Sequence, residues 1–292
     1  GGYINAYTTF DRTVYYIDIP AGHAAIAVDI LADAVLNSTL PADEVEKEKQ
    51  VILREIAMGQ DDPDNRFYES FFDTAYRVHP YRVPVIGYRD VFAALTREDL
   101  VAYSRSRYVS GNLVVVVTGG VDPVALGAAV TEHFGAAPRR ELAPVYIPEE
   151  PPPQAPRTLH RFEDIELTRA GLAWPIPGLA HPDAPALDLL AMILGHGDSS
   201  VLWQAVREKA RLVHSIDAAS WSPGTTGLFY VSFTCDDGRR SAAEAAVHAE
   251  LVRAARRGFT ATQIRKAVRQ LVVGEINTRK TMSGQASRLG VA

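Results

Sequence analysis

The sequence has a single cysteine, Cys235, among its 292 residues. One thiol excludes an internal disulfide and any metal site built from several cysteines. It leaves the cellular compartment open, because many exported proteins also lack disulfides.

Long apolar runs and an excess of basic residues are also missing. No apolar run approaches the roughly 20 residues that cross a bilayer, so we expect a soluble chain without a membrane span. Lys and Arg number 30 against 35 Asp and Glu, a net charge of -5. This balance gives no electrostatic reason to expect nucleic acid or an anionic membrane as partner.

Neither end of the chain carries a signal-like segment. The sequence starts at Gly1-Gly2 without Met and directly enters a strand pattern, and it stops at Val291-Ala292 inside a helical pattern. We therefore expect both ends to be cuts, so that targeting signals would lie outside the chain. The bacterial periplasm and the cytoplasm both stay open as compartments.

Apolar residues make up 47% of the chain, enough for two ordinary domains. A proline-rich segment, residues 144–157, includes Pro151-Pro152-Pro153 and predicts a semi-rigid linker. It separates a first predicted domain, residues 1–143, from a second, residues 158–292.

The periodicity of both domains mixes strand runs with helix runs. In the first domain, residues 3–19 and the apolar run Leu113–Thr118 predict β structure, the latter a buried strand. Helices are predicted over 22–37, 42–59, 64–77, 97–107 and 122–134. In the second domain, strands are predicted over 165–174, 213–221 and 226–235, and helices over 183–195, 199–210, 239–257 and 261–277. This order predicts an α+β fold with two similar domains, each a mainly antiparallel sheet with helices packed on one face.

The helix predicted over 42–59 carries two acids on its apolar side. At about 100° per residue, its polar side chains cover one arc, but Glu48 and Glu55 project into the middle of the apolar arc. They lie about 10 Å apart along one face. A buried carboxylate needs a cation or several donors. Arg or Tyr side chains could satisfy both acids, the face could be less buried than its periodicity indicates, or one acid could be a metal ligand supported by the other.

Two segments carry a family resemblance: residues 1–16 (GGYINAYTTFDRTVYY) and residues 45–56 (VEKEKQVILREI). They closely resemble the pitrilysin/insulinase family of metallopeptidases, especially the branch with the mitochondrial processing peptidase and its bacterial relatives. The resemblance continues through His79-Pro80-Tyr81, 85–87, 108–112 and 199–202, and thus spans essentially the whole chain.

The resemblance implies a zinc site of which this chain holds one ligand. Family members carry an inverted motif, H-x-x-E-H, on one helix and a third ligand, a Glu, on a later helix. The third ligand corresponds to Glu55, and the acid that supports it from behind corresponds to Glu48. None of the eight histidines lies in an H-x-x-E-H motif. The two His ligands and the general base are therefore expected upstream of Gly1, with zinc bound by the full-length protein and not by this fragment.

Two further sets of residues match family positions. The segment Asn5, Ala6, Tyr7 and Thr8 resembles the edge strand to which an extended substrate peptide adds. Family members often have an Arg and a Tyr seven residues apart that reach the active site from the opposite half. Here Arg207 is present, but the Tyr position is His214, and Arg211 replaces the usual Gly. Arg207 and His214 are thus a candidate pair facing a partner half, and His214 is either a substitute donor or a strand residue without a catalytic part.

The function that the resemblance implies is a zinc endopeptidase acting on extended or presequence-like peptides in a chamber between two halves. The second half would be a further repeat of the same chain or a separate subunit. Two other functions stay open: a non-catalytic partner or structural core subunit on the same fold, and a peptide-binding module without hydrolysis.

Overall fold

Two strands at the start of the chain form an antiparallel hairpin in the computed structural model, which describes residues 2–142 and 144–291. Strand β1 (Tyr3–Thr8) pairs with β2 (Thr13–Asp18), with Asn5 opposite Tyr16. Aromatic and β-branched residues favour such a ladder. All six residues of β1 are exposed to solvent.

Helices follow the hairpin at the predicted places. They are α1 (Ala24–Leu36), α2 (Ala42–Asp61), α3 (Pro63–Ala75), α4 (Arg89–Ala94), α5 (Arg97–Arg107) and α6 (Pro123–Phe134). The sequence did not predict α4. Local caps set the starts of three helices, because each cap side chain accepts a backbone N–H that the helix leaves unpaired. The caps are Asp62 for α3, Thr96 in a reciprocal box with Asp99 for α5, and Asp122 for α6.

The predicted buried strand Leu113–Thr118 is wrong. The segment forms no strand, and Val114 is 80% exposed. Within the described residues, no backbone hydrogen bond joins residues 113–117 to a neighbouring segment. An apolar run becomes a buried strand only where adjacent strands pair with it. Thr118 instead donates its hydroxyl to the carbonyl of Met282 at 2.8 Å.

Later in the chain, three antiparallel strands build a second sheet. These are β3 (Thr168–Pro177), β4 (Ser215–Trp221) and β5 (Thr226–Cys235), in the spatial order β3-β5-β4. Helices α7 (Ala184–Gly195) and α8 (Arg240–Arg257) cover one face of the sheet. The core between them includes Leu194, Leu202, Val206, Val231 and Val247, all almost fully buried. The remaining helices are α9 (Ala261–Thr278) and α10 (Met282–Leu289).

Helix α3 packs on the opposite face of this sheet. A Cβ atom added at Gly171 of β3 would lie 2.6 Å from the ring of Phe71, so the close approach of α3 requires a glycine there. Phe72 meets Trp221 edge to face, with ring centroids 4.9 Å apart. The α+β class with antiparallel sheets is confirmed, and α3 adds a layer that the sequence did not predict.

Backbone contacts divide the chain into two units. The first unit comprises Gly1–Met58, Pro84–Ile147 and Ile276–Ala292, and the second comprises Gly59–Val83 and Pro148–Glu275. The sequence predicted two consecutive domains, whereas these units alternate along the chain. Their division after Ile147 falls inside the predicted linker 144–157, and the domain boundaries from the sequence stay a prediction. None of the helices described is long and apolar enough to span a bilayer.

Candidate functional site

Glu48 and Glu55 lie on an exposed face of α2. The packed side of the helix is formed by Ile52 and Ile56, of which Ile56 is buried. The two acids share this face of the helix with two apolar side chains, Val51, 44% exposed, and Met58, 71% exposed. The helical wheel correctly placed the acids among apolar residues, and of the alternatives left open by the sequence, the structure shows that this face is less buried than its periodicity indicates.

Several other polar side chains of α2 are paired within the helix. Lys47 bonds Glu44 at 2.7 Å and Gln50 bonds Glu46 at 3.2 Å, the spacings at which helical neighbours meet. Glu48 and Glu55 have no hydrogen bond or ion pair within residues 2–142 and 144–291. Neither Arg nor Tyr side chains satisfy them there, so both carboxylates can accept a ligand.

The described residues do not make a complete metal centre. Seven residues of α-helix separate the two carboxylates by about 10 Å, too far for both to bind one ion. Across the described part of the chain, no group of three His, Cys, Asp or Glu side chains is placed to hold a metal. Each acid therefore offers one oxygen ligand and needs others to complete a site.

The outer edge of β1 is free to pair with another strand. In the described residues β1 has one neighbour, β2. The amide of Thr9 donates to the carbonyl of Arg12 at the end of the hairpin. Since bonded and non-bonded pairs alternate in an antiparallel ladder, the backbone groups of Ile4, Ala6 and Thr8 point away from β2. An extended peptide could pair with these groups.

The Asn5 side chain covers part of this edge. Its Oδ1 accepts the amide of Ala6 at 2.8 Å, and its Nδ2 donates to the hydroxyl of Tyr3 at 2.6 Å. A strand added at the edge would compete with Oδ1 for the Ala6 amide. Asn5 thus satisfies an edge donor that would otherwise be unpaired.

A tyrosine pair fixes the hairpin to the first unit. The hydroxyls of Tyr15 on β2 and Tyr108, after α5, are 2.6 Å apart. Burial, and then the hydrogen bond to Tyr15, raise the pKa of Tyr108 well above its ordinary value. The Tyr108 hydroxyl therefore stays protonated at neutral pH, and its hydrogen bond with Tyr15 holds the hairpin in place.

Arg207 is restrained on several sides. It lies in a π-helix, Trp203–Lys209, within the region predicted as helix 199–210. Its Nε donates to the carbonyl of His214 at 2.8 Å, and its guanidinium lies over the Trp203 ring at 4.1 Å. Nη1 also pairs with Glu208. The structure thus brings Arg207 to the backbone of His214, not to its ring.

The His214 ring has its own partner. Its Nε2 lies 2.7 Å from Oδ1 of Asp236, and Arg239 approaches the other oxygen at 3.4 Å. The hydrogen bond from His214 lowers the pKa of Asp236. Sequence reasoning missed Asp236, because the pair forms only once the chain enters the β4–β5 ladder, where the His214 amide donates to the Thr234 carbonyl.

These side chains surround an open cavity of about 370 Å³ in the second unit. Arg211, at its wall, has φ 53°, a left-handed conformation that favours glycine. By the family resemblance, Arg211 stands where other members usually have Gly. The cavity is lined by both basic and acidic side chains, and most of them pair with one another.

Comparisons with known proteins give the same assignment for both parts of the chain. Residues 1–88 match the family described as Insulinase (Peptidase family M16), and residues 94–271 match the Peptidase M16 inactive domain. A protein of Mycobacterium tuberculosis named an uncharacterised zinc protease is 34% identical over 293 residues, covering 99% of this chain and 67% of the relative. The beta subunit of the mitochondrial-processing peptidase of Lentinula edodes is 31% identical over 228 residues, 75% of this chain and 48% of the relative.

A solved structure of similar fold is a protease from Helicobacter pylori. It superposes with a TM-score of 0.91 at 26% identity, and the match covers 98% of this chain and 71% of that protein. Similarity therefore extends over essentially the whole chain in both sequence and fold.

Proposed function

The chain belongs to the insulinase family of peptidases, peptidase family M16, and we propose that it is part of a zinc-dependent endopeptidase acting on extended peptides. The observation that carries this proposal is the face of α2 with Glu48 and Glu55, two exposed carboxylates that pair with none of the described residues. Both carboxylates are exposed to solvent on the apolar side of α2, where a further polypeptide segment can reach them. They also lie within residues 1–88, the part of the chain that matches the insulinase family.

Zinc is the metal of the relatives named zinc proteases. A catalytic zinc ion in proteins is bound by three protein ligands and keeps a fourth position open for water. When bound, it would supply an activated water for peptide hydrolysis. Only Glu55 is proposed as a ligand, so the described residues do not by themselves complete the site. The other ligands and the general base would come from polypeptide outside these residues. Glu48, on the same face of α2, would accept a hydrogen bond from one of those other ligands and so help to orient it.

Substrate would bind by strand addition at β1. Backbone groups of Ile4, Ala6 and Thr8 form the open edge, and the Asn5 amide would exchange its bond to Ala6 for bonds to the incoming peptide. Main-chain bonding explains why such a site would require an extended conformation, and the exposed side chains of Asn5 and Tyr7 would contact the substrate side chains. The substrate class is therefore an unfolded or extended segment.

A second half would complete the catalytic chamber. Arg207 is tied to the His214 carbonyl and stacked on Trp203, and the His214 ring is bonded to Asp236. Arg207 and His214 are therefore not a free pair of donors, and a further repeat or a separate subunit would supply the oxyanion donors.

The test is replacement of Glu55 in a protein that carries H-x-x-E-H ahead of residue 1. Glu55→Gln is expected to keep the fold and lose most bound zinc and peptidase activity, because an amide is a poorer ligand. Glu48→Gln should lower zinc affinity or peptidase activity by about 10–100-fold, the usual effect of changing a residue that supports a metal ligand. Glu46→Gln, on the paired side of α2, is the control and should change neither. Metal analysis measures the bound zinc, and peptide turnover measures the activity. Full zinc content in Glu55→Gln would place the third ligand elsewhere.

A second candidate function is a non-catalytic partner subunit on the same fold. The match of residues 94–271 to the inactive domain of this family favours it. The presence of H-x-x-E-H in the polypeptide joined to Gly1 would support the peptidase. Its absence, together with stimulation of a zinc-bearing half by this chain, would support the partner.

A further inference from the structure

An open pocket in the first unit is lined by three arginines. It has a volume of about 360 Å³ and lies between the end of α1, the loop before α2, and α5. Its apolar part includes Val35 and Val101, and its charged part consists of Arg97, Arg105 and Arg140. None of the described residues that line it is acidic, although the chain has more acids than bases.

The arginines of this pocket are not neutralised. Arg105 and Arg140 make no ion pair or side-chain hydrogen bond within the described parts of the chain. Arg97 donates to two backbone carbonyls, those of Leu40 and Thr39, at 2.5 and 3.1 Å. Like charges around one cavity repel each other, and here no carboxylate offsets that repulsion. A concavity lined by charges of one sign concentrates counter-ions, so the three arginines of this pocket favour an anionic occupant.

The wall of the pocket is held in a costly conformation. Leu40 has φ 45°, and a left-handed backbone is unfavourable for a non-glycine residue because its Cβ approaches the following carbonyl oxygen. The bonds from Arg97 to Leu40 and Thr39 keep the loop in this shape. The same loop brings the side chains of Ser38 and Thr39 to the lining. Strain of this kind persists where surrounding contacts fix it, and it is concentrated at binding sites.

We propose that this pocket binds a small organic oxyanion, a phosphate or carboxylate joined to an apolar group. The guanidinium forks of Arg105 and Arg140 match the oxygens of such a head, and the hydroxyls of Ser38 and Ser104 can donate to it. The apolar group would contact Val35 and the other apolar lining. A volume of about 360 Å³ suits a ligand of one or two rings. This inference does not depend on the peptidase proposal.

The test is calorimetric titration of the 292-residue chain with phenyl phosphate, benzoate and inorganic phosphate at low salt. One saturable site is expected, with phenyl phosphate tighter than inorganic phosphate because it also uses the apolar wall. Arg140→Gln should weaken binding about tenfold, the effect of losing one charge-assisted hydrogen bond. Arg139→Gln removes the neighbouring charge, which does not line the pocket, and should leave affinity unchanged. Circular dichroism checks that both variants fold.

A second arm identifies the source of the oxyanion. Sedimentation with phosphatidylcholine vesicles, with and without phosphatidic acid, tests a lipid headgroup. Retention that needs both phosphatidic acid and Arg140 would support the site with a lipid as its ligand, and binding of phenyl phosphate alone would support a soluble ligand. Equal losses in Arg139→Gln and Arg140→Gln would show a diffuse charge effect and overturn the proposal, as would the absence of saturable binding to every probe.

Discussion

Glu150 should contribute strongly to the stability of the second unit. Its Oε1 accepts the amide of Arg77 at 2.7 Å, and its Oε2 accepts the amides of Val78 and His79, each at 3.0 Å. Arg157 adds a cation at 3.9 Å. One carboxylate thus holds three successive backbone donors and joins the proline-rich segment to the loop after α3.

Replacing Glu150 by Gln exchanges one acceptor oxygen for an NH2 group. At least one of the three amides then faces a donor, and the net charge that strengthens all three bonds is lost. A hydrogen bond to a charged group contributes roughly 1.5–3 kcal/mol, so the free energy of unfolding should fall by about 2 kcal/mol. Glu149→Gln is the matched control, because the Glu149 side chain is exposed and makes no bond within the described residues.

Urea denaturation followed by tryptophan fluorescence measures this loss. The three tryptophans, Trp174, Trp203 and Trp221, all belong to the second unit, so the signal reports that unit alone. With a slope of about 2 kcal/mol per molar urea, the midpoint of Glu150→Gln should fall by about 1 M. Equal midpoints for Glu149→Gln and Glu150→Gln would refute the reasoning.

The effect should also depend on pH. Burial acts to raise the pKa of Glu150, but the three amide donors and Arg157 outweigh it, so the pKa lies below the ordinary value of 4.5. A depressed pKa adds stability above the unfolded-state value, and that stability is lost as the pH falls through the folded-state pKa. The difference between wild type and Glu150→Gln should therefore be full at neutral pH and shrink in acid below pH 4.5.

Three other outcomes are expected. The 292-residue chain should bind zinc negligibly in calorimetric titration, because Glu55 offers a single carboxylate; stoichiometric submicromolar binding would contradict its assignment as third ligand. A half with the complete zinc motif should bind zinc but cleave peptides about 10²–10³-fold more slowly when isolated, and full activity in a monodisperse monomer would contradict the need for a second half. His214→Tyr should leave turnover nearly unchanged, because the His214 ring is engaged by Asp236; a large gain would show that this position faces the reacting peptide.

Helix boundaries could be predicted closely because their signals are local. Asp62-Pro63 separates α2 from α3, and the Asp122 side chain accepts two amides at the start of α6. A cap works through residues two or three positions away, which a sequence displays directly. The structure therefore departs from these predictions by only one or two residues.

Strand burial could not be predicted in the same way. The run Leu113–Thr118 has the composition of a central strand, but a strand needs hydrogen-bonded neighbours that its own sequence does not specify. The face of Glu48 and Glu55 shows the same limit for a helix. Periodicity identified which side chains share that face, but whether water or protein covers it depends on segments distant in sequence.

The two pockets show which features local sequence patterns cannot predict. Among the described residues, Leu40 and Arg211 are the non-glycine residues with positive φ, and each lines one pocket. Nothing in their sequence favours a left-handed backbone. In both cases a distant arginine donates to the strained residue's carbonyl: Arg97 to Leu40 at 2.5 Å, and Arg239 to Arg211 at 2.7 Å. Because the bonds that hold each strained turn come from other elements, the turn and the pocket beside it form only together with the tertiary fold.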